Sequence, residues 1–477
     1  MFIPDSQTLV VNANDLGLVG NTGADVTTAM QTAMNNLTSS QAMWIPSGVY
    51  LVSASVLYPG NVKFFGSGNS DGGTVIRVIS GSNLTTPVLC SQDWYNNSAS
   101  SGSPVLISDL KIDGNNAMSG SNAHGLVSMN FWSSFDRISI SNVAGAGFVH
   151  SAVSRNGTQI NNTCVEAKIR RLEVRGVGSH GIYILDNGSA CTDGFIEDCI
   201  VQNPGARGVN LTQSGGWFIS GNHVYGAVSD GIKADNCFAT RVIGNYIDGF
   251  GSGSSSFFGG ISMNILDGRG SDCINNVVGF ESSTATGPQY GINLHGNGTG
   301  NALCVCTGNK VKGGSQSGSV GYQVHTSSGA NWKCYFHDND AKSVATTLST
   351  DSFVVGGDLA TFGHIGCVTG NASTAAAGAN AGTTPPSPVR TNCTDVAGQI
   401  TFGTGGSPAA GDQVDVTFYS AYSVAPKVML TPINTATQAL GLFVSASSTT
   451  GFSVSCTNAP SASQANTVYG FNYAVFI

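Results

Sequence analysis

A glycine followed by an apolar residue recurs through the middle of this chain, between Gly125 and Gly321. Successive glycines are separated by 22, 34, 27, 23, 29, 31 and 30 residues. The residues after each glycine tend to alternate between apolar and polar, which is the period of a β-strand and not of a helix. Repeats of about 20 to 50 residues are typical of chains in which each repeat buries its apolar face against its neighbours. The recurring glycines are Gly125, Gly147, Gly181, Gly208, Gly231, Gly260, Gly291 and Gly321.

A second phrase runs out of phase with the glycines. It consists of apolar residues, a turn residue and then alternating apolar positions. Each repeat therefore contains more than one strand, and short turns join the strands. Stacked repeats of this kind predict a parallel β-helix, an all-β fold with a long outer face on which an extended polymer can lie. The phrase occurs at Ile196–Cys199, Ile219–Asn222, Val242–Asn245 and Cys273–Asn276.

The composition restricts the partners that we expect for such a fold. Charged residues make up 10% of the chain, against about 25% in an ordinary soluble protein, and the formal net charge is -8. Because the chain has no basic run, we expect no nucleic-acid partner. No apolar stretch reaches the roughly 18 residues of a membrane span, and the N-terminal residues lack the pattern of a Sec-type signal peptide. The 12 cysteines include no CxxC pair, so we expect mostly reduced core residues, no metal site and no cofactor.

The clearest helix signal lies near the N-terminus. Apolar residues fall there at helical spacing, and Asp25 or Thr27 can cap the helix that they predict. Two strand candidates follow this helix, Trp44–Val52 and Val62–Gly68. The apolar positions of the helix are Ala29, Met30, Ala33, Met34 and Leu37.

Three phrases of this region resemble the N-terminal cap and first coils of pectate-lyase-like β-helix proteins, a group that includes phage tailspikes and minor tail proteins. The phrases are GADVTTAMQ (23–31), IPSGVYLV (45–52) and FFGSG (64–68). The resemblance implies a right-handed parallel β-helix whose open end is covered by the helix, which protects the edge strands from pairing with other chains. We therefore expect a cap with the first coils over residues 1–68 and a parallel β-helix over residues 69–369.

The composition changes after Gly370. Residues 370–398 are rich in Ala, Gly, Thr and Pro, including Pro385–Pro388, and are typical of a linker. Residues 399–477 contain several short alternating stretches, which predict a small β-sandwich. The phrases VDVTF, GLFVSAS and YGFNYAVFI resemble the C-terminal domains of phage tail fibres and, more loosely, H-type lectins. The resemblance implies that this module forms trimers, binds a ligand or does both.

Side chains after each repeated glycine should point alternately inward and outward. Adjacent coils lie about 4.8 Å apart, so the outward residues form rows along the β-helix. Row 1 is predicted to contain Tyr183, Asn210, Lys233, Ser262, Asn293 and Gln323. Row 2 is predicted to contain Leu185, Thr212, Asp235, Asn264, His295 and His325. Row 3, just before each glycine, contains His124, His180, Arg207, Asp230 and Tyr290.

These rows supply the candidate catalytic residues. Glycoside hydrolysis uses two carboxylates, about 5 to 5.5 Å apart in retaining enzymes and about 6.5 to 9.5 Å apart in inverting ones. Asp230 and Asp235 are the first candidates for such a pair, and Asp186 is another partner to consider. A lyase would instead need a base and a group that neutralises a sugar carboxylate. Candidates for these two roles are Lys233, His295 and Arg207.

Aromatic residues are candidates for sugar binding, because a sugar ring stacks its CH-rich side on a flat aromatic face. Phe257 and Phe258, in a Gly- and Ser-rich segment between Gly249 and Gly260, are the strongest candidates. Burial inside the coils would explain the other aromatic residues equally well. The remaining candidate binding residues are Tyr183, Asn264, Asn293 and Tyr290.

Three functions remain open from the sequence. The resemblance favours a tailed-phage virion component, a tailspike-like minor tail protein that is assembled in the host cytoplasm. Such a protein would bind host-envelope polysaccharide, with or without cleavage, as a homotrimer docked on other tail proteins. The second function is a polysaccharide hydrolase or lyase, in a virion or as a free secreted enzyme. The third is a purely structural spike.

Overall fold

The computed structural model divides the chain into two compact units, Met1–Phe362 and Gly363–Ile477, which are treated separately below. The structure describes residues 9–213, 215–252, 257–266, 269–280, 289–297, 301–313, 318–326, 331–350, 359–360, 373–419, 421–422, 424–463 and 465–476. Most of the regular structure in these ranges is β-strand, so the predicted all-β class is confirmed.

The first unit is a parallel β-helix, as the glycine spacing predicts. Within the described residues its strands form three parallel sheets, and each coil visits sheet 1, sheet 2 and sheet 3 in turn. Two long strands, Leu106–Asp113 and Ser134–Ser141, run through both sheet 1 and sheet 2. The other strands of sheet 1 are Leu9–Asn12, Gln41–Trp44, Lys63–Phe65, Lys168–Arg170, Phe195–Glu197, Phe218–Ser220, Arg241–Ile243, Ser271–Ile274, Asn301–Thr307, Asn331–His337 and Leu359–Ala360.

Sheets 2 and 3 continue the same stacking, with every pairing parallel. The other strands of sheet 2 are Gly48–Val52, Thr74–Val78, Glu173–Arg175, Ile200–Gln202, His223–Ala227, Tyr246–Phe250, Val277–Gly279, Lys310–Lys312 and Asp340–Lys342. The strands of sheet 3 are Val56–Tyr58, Leu89–Ser91, Leu126–Ser128, Phe148–Ser151, Ile182–Leu185, Val209–Thr212, Ile232–Cys237, Phe258–Ile265, Gln289–Gly296, Val320–Thr326 and Thr346–Thr350.

The predicted N-terminal helix is present as Thr27–Asn36, and it covers the first coil. Its inner face is buried through Met30, Ala33 and Met34. The Gln31 side chain donates from Nε2 to the carbonyl oxygen of Leu57 at 2.8 Å and accepts from the Leu57 N–H at 2.8 Å. An amide side chain thus occupies the hydrogen-bonding positions of a neighbouring strand, so the edge of sheet 3 is closed to other chains. Shorter helices lie at Ala13–Leu16 and Gln92–Tyr95.

The repeated glycines line the corner where sheet 2 passes into sheet 3. A Cβ on Gly208 would lie 2.1 Å from Cγ1 of Val224 and 2.5 Å from the carbonyl oxygen of Gly231. The same conflict recurs on each coil from Gly125 to Gly291, where the β-branched residue of sheet 2 would lie 2.1 to 2.5 Å away. Side chains at this corner would therefore prevent the coils from stacking, which is the physical cause of the spacing in the sequence.

Asparagines form a second column, at the turn from sheet 1 to sheet 2. The Oδ1 atom of each rung accepts from the backbone N–H and from the Nδ2 of the preceding rung, at 2.8 to 3.1 Å. Each Nδ2 also donates to a backbone carbonyl of an earlier coil. The column satisfies buried polar groups of every turn that it crosses. Its rungs are Asn222, Asn245, Asn276, Asn309 and Asn339.

The second unit contains, among its described residues, two four-stranded antiparallel sheets that share one hydrophobic core. The first sheet has the order Thr374–Ala377, Gly411–Thr417, Gly451–Cys456, Leu442–Ser448. The second has the order Val389–Thr391, Ala397–Phe402, Tyr469–Phe476, Lys427–Pro432. A short helix, Thr435–Leu440, precedes the strand Leu442–Ser448. This arrangement is the small β-sandwich that the sequence predicts.

The range 370–398, expected to be a linker, contributes an edge strand to each of these sheets. These strands are Thr374–Ala377 and Val389–Thr391, and Pro385–Pro388 lies in the connection between them. Edge strands bury few large side chains, so their sequence lacks the alternation that identifies a central strand. Over its described part, this segment therefore belongs to the second unit.

The cysteines of the described structure lie in its interior as free thiols. The 11 cysteines in the described ranges are free and buried, as expected of core residues. None of the helices among the described residues is long and apolar enough to span a membrane.

Candidate functional site

Row 1 on the outer side of sheet 3 is formed as predicted. The inward neighbours Ala234, Met263 and Leu294 are buried, so the residues between them point outward. In-register parallel pairing places in this row Tyr183, Asn210, Lys233, Ser262, Asn293 and Gln323. The spacing of the glycines was therefore sufficient to fix the register of this face.

Row 2 is interrupted. A β-bulge places two residues, Asp235 and Asn236, opposite the single residue Asn264. The prediction of a continuous row from Asp235 through Asn264 is therefore wrong, because the extra residue displaces Asp235. Beyond the bulge the row is regular: Asn264 pairs with His295, and the His295 ring stacks on His325 with centroids 4.2 Å apart.

Asp230, in row 3, is buried and fully hydrogen-bonded. Its Oδ1 accepts from the backbone N–H of Gly259 at 2.9 Å and from Oγ of Ser262 at 2.8 Å. Its Oδ2 lies 3.1 Å from Nε of Arg207, which donates to it. Both oxygens of the carboxylate are thus engaged by neighbouring residues, and the carboxylate positions the three donors around it.

Arg207 connects Asp230 to a neutral histidine. Its Nη1 donates to Oδ1 of Asn210 at 3.2 Å, and its backbone N–H donates to Nδ1 of His180 at 3.3 Å. Burial, with a smaller contribution from the Arg207 charge, lowers the pKa of His180 to about 4. The Tyr183 ring packs edge-on against His180 with centroids 4.6 Å apart, and burial raises the pKa of Tyr183.

The two remaining titratable candidates of this region pair with each other. Nζ of Lys233 lies 3.4 Å from Oδ1 of Asp235, and both side chains are partly exposed. Lys233 is thus compensated by a local carboxylate, and Asp235 by a local cation. Such a pair is solvent-accessible and contributes little to stability, so it can open to contact a ligand.

Asp186 is not part of this surface. It is fully buried, and its two oxygens accept from Nε2 of Gln159 and from the backbone N–H groups of Gly188 and Cys191, at 3.0, 2.8 and 2.7 Å. We therefore correct its assignment as a catalytic partner of Asp235. Asp186 anchors the turn that follows its strand of sheet 3.

An aromatic platform lies beside the Asp230 network. Phe257 is 61% exposed, and its ring stacks on Tyr290 with centroids 5.7 Å apart and planes inclined by 22°. Phe258 is partly buried and packs against the core of the β-helix, so the two neighbouring phenylalanines have different roles. The next residue, Gly259, donates to Asp230. Burial raises the pKa of Tyr290, so its hydroxyl remains a neutral donor and acceptor.

Polar groups extend along the same face from the platform. Oδ1 of Asn293 lies 2.9 Å from Nε2 of His325, and Oδ1 of Asn264 is buried without a hydrogen-bond partner in the described structure. No group of three or more His, Cys, Asp or Glu residues that could hold a metal ion occurs within the described ranges. The face therefore combines an exposed aromatic surface with neutral donors and acceptors.

The comparison with protein families agrees with this architecture. A family model described as rhamnogalacturonase A/epimerase, pectate lyase-like, matches residues 10–254, more than half of the chain. The chain belongs to this pectate-lyase-like family. No curated protein matches the sequence at a significant level.

Solved structures with a similar fold include tailspikes and an epimerase. The Dettilon tailspike protein matches with a TM-score of 0.52 and 11% identity, over 98% of this chain and 94% of that chain. The tailspike protein from Pseudomonas phage LKA1 matches with a TM-score of 0.48 and 13% identity, over 98% and 99%. The A-module of a mannuronan C-5 epimerase from Azotobacter vinelandii matches with a TM-score of 0.49 and 16% identity, over 71% and 97%. At 11% identity, the Dettilon similarity shows a shared fold.

The pectate-lyase-like match ends before the aromatic platform. It includes Arg207, Asp230 and Lys233 but neither Phe257 nor Tyr290. The platform thus lies on coils beyond the matched range. The sequence did not identify Asn210 and Ser262 as members of the site, although both stood in row 1. Their contacts with row 3 were the missing signal, because the contacts of Asn210 with His180 and of Ser262 with Asp230 join different coils.

Proposed function

We propose that this chain is a tailspike-like tail protein of a tailed phage, and that sheet 3 binds polysaccharide of the host envelope. The observation that carries the proposal is the exposed Phe257–Tyr290 platform next to the Asp230–Arg207 network. The pectate-lyase-like family and the fold shared with the Dettilon tailspike support the choice of a virion protein.

The geometry of sheet 3 suits an extended glycan. Coils about 4.8 Å apart present rows that run along the β-helix, so a polymer can contact several coils at once. A sugar ring can stack on Phe257, while its hydroxyls reach the outward side chains of row 1. Few charges are needed for this kind of recognition, in agreement with the 10% of charged residues in the chain.

Binding without cleavage is the form of this function that the site favours. Hydrolysis requires one carboxylate that is free to act as nucleophile or base and another that acts as acid. Asp230 is held by three donors and Asp186 is buried in a turn, so of the three candidate carboxylates only Asp235, in its partly exposed pair with Lys233, is accessible. His295 stacks on His325 beyond the bulge, which separates it from the Asp230 network.

The test is a binding assay with purified envelope polysaccharides from candidate hosts, combined with assays for reducing ends and for unsaturated products. We expect Phe257→Ala to weaken binding about tenfold, because it removes most of the stacking surface. The matched control is Leu9→Ala, which removes a comparably exposed apolar side chain (62%) at the start of the β-helix and should leave binding unchanged. Equal binding by both variants would refute the platform, and reducing-end release would instead indicate a depolymerase.

We further propose that the second unit mediates self-association into a homotrimer and that the assembled spike docks on other tail proteins. Large apolar side chains are exposed on its adjacent strands Lys427–Pro432 and Leu442–Ser448, at Met429 and Phe443. Changing both residues to Ser should lower the trimer fraction in light scattering while the circular dichroism spectrum is retained. A monomeric wild-type protein, or an unchanged trimer in the variant, would contradict this part of the proposal.

A further inference from the structure

A second aromatic cluster lies on the outer side of sheet 2, away from the rows of sheet 3. In-register pairing places His223 beside Tyr246 and Tyr225 beside Asp248. The intervening residues Val224 and Ile247 are fully buried, so the four paired side chains point outward.

The rings of this cluster form a continuous stack. The His223 ring lies 4.7 Å from Tyr246, with planes inclined by 23°, and 4.8 Å from Tyr225. Tyr246 is 41% exposed, and Val277, which pairs with it on the next coil, is also exposed. Tyr246 and Val277, on neighbouring coils about 4.8 Å apart, therefore form one exposed apolar surface, which we call the ledge.

Polar atoms at the edge of the ledge lack partners. The Tyr246 hydroxyl donates to Oδ2 of Asp248 at 3.2 Å, but Oδ1 of Asp248 has no hydrogen-bond partner in the described structure. Nε2 of His223 is likewise shielded from water and unpartnered within the described residues. Buried polar atoms are normally satisfied, so each exception requires an explanation. The Asp248 side chain as a whole is only partly buried, so a ligand hydroxyl beside the Tyr246 ring can donate to its carboxylate.

The charge of the cluster selects among sugars. Asp248 forms no ion pair with another described residue, and the lysines of the same face, Lys310 and Lys312, lie two coils away from Tyr246 and Asp248. The carboxylate is therefore the charge nearest to the Tyr246 ring, and it would repel a uronic acid or another acidic sugar there. Neutral sugars have a CH-rich face for Tyr246 and hydroxyl donors for Asp248. We propose that the Tyr246–Asp248 cluster is a second carbohydrate-binding site, which takes a neutral hexose unit of a glycan. The site is independent of the platform at Phe257.

The test uses the full chain and a panel of neutral methyl hexosides, with methyl glucuronide as the acidic probe, in saturation-transfer NMR titrations. We expect binding of at least one neutral hexoside, weakened about fivefold or more by Tyr246→Ala and by Asp248→Asn. The matched control is Tyr335→Ala, because Tyr335 is an equally exposed tyrosine (40%) on sheet 1. This control should retain the binding.

Three results with the wild-type protein or the two cluster variants would overturn the site. These are no binding of any neutral hexoside to the wild-type protein, unchanged binding in both variants of the cluster, or tighter binding of the glucuronide than of the neutral probes. Because Asp248→Asn keeps the shape of the side chain and Tyr246 is largely exposed, circular dichroism can verify that both variants fold. Loss of hexoside binding in Phe257→Ala alone would assign it to sheet 3 and also overturn the second site.

Discussion

The asparagine column allows the contribution of one buried side chain to be calculated and tested. Asn276 is a central rung and is fully buried. Its Oδ1 accepts from the backbone N–H and Nδ2 of Asn245, and its Nδ2 donates to the Val242 carbonyl and to Oδ1 of Asn309. Asn276→Ala removes these four hydrogen bonds and the weaker contact of Nδ2 with Sγ of Cys273 at 3.5 Å.

The expected loss follows from the groups that are left unsatisfied. Nδ2 of Asn245 keeps its bond to Ile219, and Oδ1 of Asn309 still accepts from the backbone N–H of residue 276. The backbone N–H of Asn245 and the Val242 carbonyl lose these bonds. At about 1 to 3 kcal/mol for each buried unsatisfied group, the free energy of unfolding should fall by about 2 to 6 kcal/mol.

Urea denaturation followed by far-UV circular dichroism measures this change, with the slope of the transition expected to stay constant. The matched control is Asn339→Ala, at the end of the described column, where the side chain is only partly buried and water can replace its bonds. We expect a loss of about 1 kcal/mol there. Equal losses at the two positions, or a smaller loss for Asn276→Ala, would refute the view that burial of the column makes it stabilising.

Three further predictions address the corner, the histidines and the cap. Gly208→Ala should destabilise the β-helix by several kcal/mol or prevent folding, because its Cβ would lie 2.1 Å from Val224. The control is Gly72→Ala, because a Cβ on Gly72 would meet open space, and thermal unfolding of both variants measures the difference. Burial lowers the pKa of His124 and of His180 to about 4, below the roughly 6.5 of an unfolded histidine. The unfolded chain therefore binds more protons between these pH values, so the free energy of unfolding should fall as the pH drops from about 6.5 to about 4. Denaturation curves at several pH values should show a smaller dependence of this free energy on pH for His124→Gln, and an unchanged dependence would contradict the assignment. Gln31→Ala should lower the unfolding midpoint and promote aggregation measured by light scattering, because the Leu57 backbone loses both of its hydrogen bonds to the capping helix. Thr32→Ala, on the exposed side of the helix, is the control and should have neither effect.

The fold was predictable because its strongest constraint is repeated and local. Each repeated glycine from Gly125 to Gly291 meets a β-branched residue in the sheet 2 strand of the next coil, so the same requirement appears in the sequence once per coil. The capping helix was equally visible, since Met30, Ala33 and Met34 show the period of one buried face. The edge strand Thr374–Ala377 was not visible, because its small side chains carry no pattern of burial.

The site was only partly predictable, because its contacts depend on distant coils. Row 1 follows from alternation, but one extra residue at Asn236 is enough to move Asp235 out of register with Asn264. The burial of Asp186 depends on Gln159, which belongs to a different coil. Phe257 was identified from its Gly- and Ser-rich surroundings, and its stacking on Tyr290 of the next coil required the three-dimensional structure.

The two columns inside the β-helix have a consequence for how such a protein can change over generations. The glycine and asparagine contacts that set the distance between coils involve inward groups, whereas Tyr183, Lys233 and Asn293 project outward from the same strands. A substitution at these outward positions therefore changes the chemistry of the outer face without changing the distance between coils. Under the proposed function, inherited variation can therefore change the glycan that sheet 3 binds one residue at a time, while the contacts that set the distance between coils stay the same.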